Sequence, residues 1–182
     1  MLKDMRVAVM ICATVVILSI FFGSYNSIRE LRQDVELLYY GNTAAEDDAN
    51  SIVYLTSELL RYGANMVKIA EKYGDKVGDE LAGVKSVREQ LLNTEQINRK
   101  IKLTKTYVNE IYTLYDAFSR IDMDENERRF AAGYQAEIIS LDRKVVNSGY
   151  NTIARGYNAE ISGVPANMLS SLYGMPAFVM YE

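Results

Sequence analysis

Val7 to Ile28 reads VAVMICATVVILSIFFGSYNSI, a run of 22 residues without a charge. As a helix rising about 1.5 Å per residue it is about 33 Å long, close to the hydrocarbon thickness of a bilayer. Before Gly23 its only polar side chains are Thr14 and Ser19, whereas a helix covering a soluble core shows a polar stripe every third or fourth position. The run therefore reads as a membrane-spanning anchor, and the chain as a single-pass cell-membrane protein. Lys3 and Arg6 precede the run while Arg29 and Arg32 follow it, a near tie in positive charge that leaves the side of the soluble part undecided. A cleaved secretory signal is disfavoured, because the run is long and has no clear small-x-small site at its end. Cys12 follows the bulky Met10 and Ile11, which argues against a lipoprotein cysteine.

Outward from the anchor, the remaining chain is long enough for one domain with a continuous core. With no His and with Cys12 the single Cys, intrachain disulfides, Cys/His zinc sites and Cys/His catalytic pairs are excluded. The balance of 20 Lys plus Arg against 24 Asp plus Glu is mildly acidic, and no basic cluster stands out, so nucleic acid is not an expected partner. No cofactor is expected either.

Ile28, Leu31, Val35 and Leu38 continue at spacings of three and four, so the membrane helix runs on into the soluble part, with Gly41-Asn42 as a candidate interruption. The next stretch, TAAEDDANSIVYLTSELLRY, carries the stripe Ile52, Leu55, Leu59 and Tyr62; its acidic run Glu46 to Asp48 reads as a solvated face. Gly63-Ala64-Asn65 is a turn candidate. A second stripe follows through Met66, Val67, Ala70, Tyr73, Val77, Leu81, Val84, Val87 and Leu91, with Gly74, Gly78 and Gly83 permitting a bend or a close helix contact. Ile97 to Phe118 is the clearest amphipathic helix. Asp122 to Asn126 has the Asp-x-Asp-x-Asn start of a calcium loop, but Gly133 stands at the twelfth position where such a loop needs Glu. A turn in which Asp122 or Asp124 caps the following helix is the better reading. That helix is expected from about Glu125 to Ser162, closed by Pro165.

No useful length alternates with period two, so the expected fold is all-α: an N-terminal transmembrane helix, an antiparallel four-helix up-down-up-down bundle and an apolar C-terminal tail. The expected divisions are residues 1–28, 29–164 and 165–182. In an up-down bundle the fourth helix returns to the membrane end and delivers the tail there. From Ile161 to Tyr181 the chain carries no charge, and Pro165, Gly174 and Pro176 forbid a second spanning helix. Two readings of the tail stand: it packs on the base of the bundle, or it lies at the bilayer interface.

The stretch from Tyr150-Asn151 through Arg155 to Tyr157-Asn158, then Pro165-x-Asn167, then Tyr173-Gly174, resembles the end of the LemA family of bacterial membrane-anchored proteins. Tyr25-Asn26 with Leu31, and Asn65-Met66-Val67 with Tyr73, Leu81, Val84 and Arg88, extend the likeness over most of the chain. The sequence departs from that family at Arg61 to Ala64, where a basic pair and Asp-Leu-Ile-Pro are usual. It departs again at Asn147-Ser148, in place of an Arg pair, and near Ala49, where a Trp is absent and the preceding segment is longer. The resemblance implies a LemA-like bundle and a non-enzymatic adaptor or scaffold at the cell envelope, with protein partners or self-association in addition to the lipid held by residues 7–28.

Tyr150 and Tyr157 lie seven apart, as do Asn151 and Asn158, so each pair shares a helix face two turns apart. They form either a polar docking stripe or a structural one, with rings in the core, amides bonding to a neighbour, and Arg155 reaching the tail's carbonyls. A sensory bundle is the alternative function. An enzyme built on carboxylates such as Glu137 and Asp142, or on Lys/Asp pairs, is weaker still, since no spacing sets two carboxylates on one buried face.

Overall fold

The computed structural model describes residues 2–41 and 50–182, and among them every regular element is a helix. In chain order these are α1 (Leu2–Tyr40), α2 (Ile52–Glu71), α3 (Gly74–Leu92), α4 (Ile97–Phe118), α5 (Glu125–Asn147), α6 (Tyr150–Ser162) and α7 (Ala166–Leu172). Asn42, the acidic run Glu46 to Asp48 and the part of the lengthened segment between Val35 and Ala49 that follows residue 41 lie outside the described residues. The chain divides into two compact units, one of Met1–Val35 and Thr152–Phe178, the other of Glu36–Asn151 and Val179–Glu182.

In the first unit α1 is long and apolar enough to cross a membrane, and none of its most apolar window is buried. It runs unbroken from the apolar segment to Tyr40, as the spacing of Ile28, Leu31 and Val35 requires. Thr14 and Ser19 donate to the carbonyls of Met10 and Val15, one turn back, so neither hydroxyl is left without a partner. The other members of this unit are α6 from Thr152 onward, α7 and the chain to Phe178. Tyr157, Ala154, Ala166 and Leu169 are buried.

In the second unit the most extensive pairings are α3 with α4 and α2 with α5, completed by α2 with α3 and α4 with α5. The apolar stripes drive them: Leu55, Leu59 and Met66 of α2, Val84 of α3, Val108 and Ile111 of α4, and Ile138 and Val145 of α5 are all buried. Phe130 departs from its stripe and is 53% exposed, with the Arg129 guanidinium 5.8 Å from its ring centre.

Three helix boundaries differ from the sequence pattern. Gly63-Ala64-Asn65 is not a turn, because α2 runs through it to Glu71. Gly63 is buried against α4, where an added Cβ would lie 2.0 Å from the Tyr107 hydroxyl oxygen and 2.7 Å from the ring's Cζ. The glycine admits a neighbouring ring at that point, which offsets its roughly 1 kcal/mol helix cost. The turn falls instead at Lys72-Tyr73, so Met66 and Ala70 belong to α2, and only Val77 onward to α3. Within α3, Val77 departs from helical geometry, at φ −134° and ψ 24°. The long last helix is also divided: α5 ends at Asn147, and Gly149 adopts φ +84° before α6 opens at Tyr150. That left-handed conformation strongly favours glycine and stops a helix here.

Asp124 caps α5, its Oδ1 accepting from the backbone N–H groups of Asn126 at 2.9 Å and Glu127 at 3.3 Å. Glu127 in turn accepts from Lys72 and, at 2.5 Å, from the Tyr73 hydroxyl, which itself accepts from the Asp124 N–H at 3.1 Å. The α2–α3 turn is thereby tied to the start of α5. The Lys72 and Tyr73 hydrogen bonds hold the Glu127 carboxyl below its ordinary pKa. A depressed carboxyl stabilises the fold above its unfolded pKa of about 4.3, and that contribution is lost as pH falls through the folded value. Glu127→Gln is therefore expected to lower the melting temperature at neutral pH and to converge on the parent protein in acid, as read by thermal melts across pH.

Candidate functional site

A carboxamide carries one acceptor and two donors in a plane, so a single Asn side chain can pair with both the N–H and the C=O of one extended residue. It thereby does what a neighbouring β-strand would do. The two Tyr-Asn steps of α6 are used in this way on the C-terminal segment, one in each unit.

In the second unit Asn151 donates through Nδ2 to the Tyr181 carbonyl at 2.7 Å and accepts the Tyr181 N–H at Oδ1 at 2.8 Å. Tyr150, fully buried, donates its hydroxyl to the Val179 carbonyl at 3.0 Å. Asn98 of α4 accepts the Val179 N–H at 2.8 Å. Tyr181 is itself buried, its hydroxyl donating to Asp142 Oδ1 at 2.6 Å, with Lys105 3.8 Å from that oxygen and 5.2 Å from the centre of the Tyr181 ring. Burial pushes both hydroxyls above the ordinary tyrosine pKa, and the Asp142 hydrogen bond raises Tyr181 further.

In the first unit Asn158 repeats the arrangement on Phe178, donating to its carbonyl at 2.7 Å and accepting its N–H at 2.8 Å. Tyr157 donates to the Met175 carbonyl at 3.2 Å and its ring meets Phe178 edge-on at 5.1 Å. Each buried Tyr thus fills space with its ring and satisfies a carbonyl with its hydroxyl.

Arg155, expected to reach the tail's backbone carbonyls, is solvent exposed; the carbonyls of Met175, Phe178, Val179 and Tyr181 accept from the tyrosine hydroxyls and asparagine amides. Pro165 precedes α7 and its carbonyl accepts from the Met168 and Leu169 N–H groups. Asn167 donates its N–H to the Gly163 carbonyl at 2.7 Å and offers its own carbonyl to the hydroxyls of Ser170 and Ser171. The Pro-x-Asn step thus organises the entry to α7. Gly174 ends it at φ +61°, with the Met175 N–H returning to the Ser170 carbonyl at 2.8 Å. Tyr173 lies against Tyr25 of α1, ring centres 4.8 Å apart.

The pattern of the sequence pointed to none of Asn98, Asp142 or Tyr181 as tail partners. Asn98 opens an ordinary amphipathic helix, and Asp142 looks like any exposed-face carboxylate.

Among the described residues no cluster of three or more His, Cys, Asp or Glu is placed to hold a metal ion. Glu137 is exposed, while Asp142 is engaged with Tyr181 and Lys105. An open groove of about 500 Å³ between α2 and α3 is lined by Lys68, Lys85 and Arg88 together with Glu71 and Glu89. Glu71 and Lys85 pair across it at 2.6 Å, and the mixed charge selects no ligand. Comparison with protein-family models, curated proteins and solved structures finds no match for the chain.

Asn151 and Asn158 each engage the chain's own backbone through both the oxygen and the nitrogen of the amide. Asn151→Ala and Asn158→Ala are each expected to cost about 1–3 kcal/mol, since each leaves a tail N–H and carbonyl without partners. Chemical denaturation of the full-length protein in detergent checks this; unchanged stability would return the two residues to the docking reading.

Proposed function

We propose that this chain is a divergent LemA-like protein: a single-pass, membrane-anchored helical-bundle adaptor or scaffold of the bacterial cell envelope, without enzymatic activity. The observation that carries the proposal is α1, whose exposed apolar residues from Met5 to Phe22 lead without a break into the helix that enters the second unit. A leader destined for removal needs no such continuity of helix beyond its apolar run. The Tyr-Asn repeat, the Pro165-x-Asn167 step and Tyr173-Gly174 support the family reading. Short connections at 72–73, 93–96 and 119–124, with the pairings of α2 through α5, support an antiparallel up-down-up-down bundle in the second unit.

On this reading the residues most specific to the resemblance hold the tail, and the partner surface lies elsewhere on the helices. Carbonate extraction followed by crosslinking in native membranes tests the proposal. The expected result is retention in the membrane and crosslinks to other envelope proteins. Release by carbonate would overturn the anchor, and a spectrum of self-links alone would replace the adaptor with a self-assembling scaffold.

A further inference from the structure

We infer that α7, with Val164 just before it, is a second membrane-contacting element, lying in the bilayer interface beside the anchor, with Val164, Met168 and Leu172 facing lipid. This inference rests on the membrane-anchor reading of α1 and adds to it. Three observations within the first unit converge on it.

The first is exposure. Val164 is 81%, Met168 61%, Leu172 76% and Tyr173 54% exposed, an unusual concentration of large apolar side chains for so short a stretch. The second is how α7 divides its surface. Ala166, Leu169 and Ser170 are buried and fix the helix to the protein. Met168 and Leu172, four apart, share one exposed side, while Asn167 and Ser171 share another. The helix therefore has three sides: one facing protein, one polar and one apolar that no described residue covers. A helix lying along a membrane surface needs such a division between an apolar side and a polar side. The chain carries no charge from Ile161 to Tyr181, so α7 itself brings no charged side chain into the interface.

The third observation identifies lipid as the occupant. The ring of Tyr173 meets that of Tyr25 at 4.8 Å. Tyr25 lies three residues before the end of the uncharged run, about 4.5 Å along the helix from Ile28, and Arg29 follows immediately. If the run spans the bilayer, Tyr25 is at the headgroup boundary where aromatic side chains concentrate. Tyr173 is then at the same depth, and α7 ends there.

Spin-label accessibility in the full-length protein tests this, reconstituted in vesicles of mixed phosphatidylcholine and phosphatidylglycerol. With Cys12 replaced by Ser, single cysteines are placed at Val15, Asn167, Met168, Ser171 and Leu172. The expected result is that labels at 168 and 172 favour dissolved oxygen over a water-soluble nickel chelate, as the label at 15 does, with the preference reversed at 167 and 171. Chelate access at 168 and 172 equal to that at 167, with 15 still lipid-exposed, would overturn the role of α7 and leave the anchor standing. Occlusion of 168 and 172 from both reagents would overturn it in favour of a protein cover. Chelate access at 15 would overturn the anchor and the inference together.

Discussion

Replacing Tyr181 by Ala is expected to destabilise the full-length protein in detergent by about 3–5 kcal/mol, the range for truncating a large buried aromatic. The ring is 1% exposed and its hydroxyl donates to Asp142. The backbone pairing with Asn151 survives this substitution, so the loss isolates the side chain from the clamp. Tyr181→Phe keeps the ring and is expected to cost about 1–2 kcal/mol, a charge-assisted hydrogen bond at a partly exposed carboxylate. Both variants lack the phenol and so differ from the parent protein in pH response. A tyrosine whose folded pKa is raised adds stability below its unfolded pKa of about 10 and loses it as pH rises toward the folded value. The parent protein should therefore lose stability above about pH 10, and Tyr181→Phe should flatten that loss. Deleting Met175 to Glu182 removes Phe178 as well and is expected to exceed either substitution. An unchanged melting temperature after that deletion would mean that the tail does not complete the fold.

Gly63→Ala is expected to cost about 1–3 kcal/mol even though alanine is the better helix former. The added carbon meets the Tyr107 hydroxyl at 2.0 Å and the ring at 2.7 Å, in the interior rather than at a yielding surface. Tyr107 supplies a control, because its hydroxyl oxygen is buried without a hydrogen-bond partner, and burial pushes its pKa up to about 12. Removing an unsatisfied hydroxyl relieves a desolvation cost, so Tyr107→Phe alone is expected to be neutral or stabilising. The double substitution should recover part of the Gly63→Ala loss, a coupling that a double-mutant cycle by denaturant titration measures. Strict additivity would contradict the close approach of α2 and α4 at this point.

The helical character of the chain and the bounds of α4 were legible because their apolar positions recur at helical spacing with no competing signal. So was an aspartate cap at Asp122 or Asp124, where an acidic turn meets a new amphipathic run; the structure uses Asp124. Gly63 misled because a glycine beside Ala-Asn resembles a turn by local chemistry, while its actual use, admitting Tyr107 from a helix more than forty positions later, is long-range. Ser148-Gly149 was a turn signal that the apolar stripe on either side concealed; the stripe resumes after the break because Tyr150, Tyr157 and Ile161 are buried too. The Tyr-Asn spacing showed that each pair shares a helix face. It did not show that the amides would pair with an extended backbone, because the tail's main-chain groups carry no sequence signature. For the same reason Arg155 looked suited to those carbonyls, although uncharged amides and hydroxyls beside it were already placed to take them.

Amide hydrogen exchange at Phe178 and Tyr181 in the full-length protein tests the central claim most directly, that the Tyr-Asn repeat holds the C-terminal segment by its backbone. Both amides donate to asparagine side chains at 2.8 Å and lie outside any helix, so protection there reports the Asn contacts. The expected result is slow exchange in the parent protein, with Phe178 accelerated in Asn158→Ala and Tyr181 accelerated in Asn151→Ala. Exchange of both amides at the rate of an unstructured peptide in the parent protein would contradict the account.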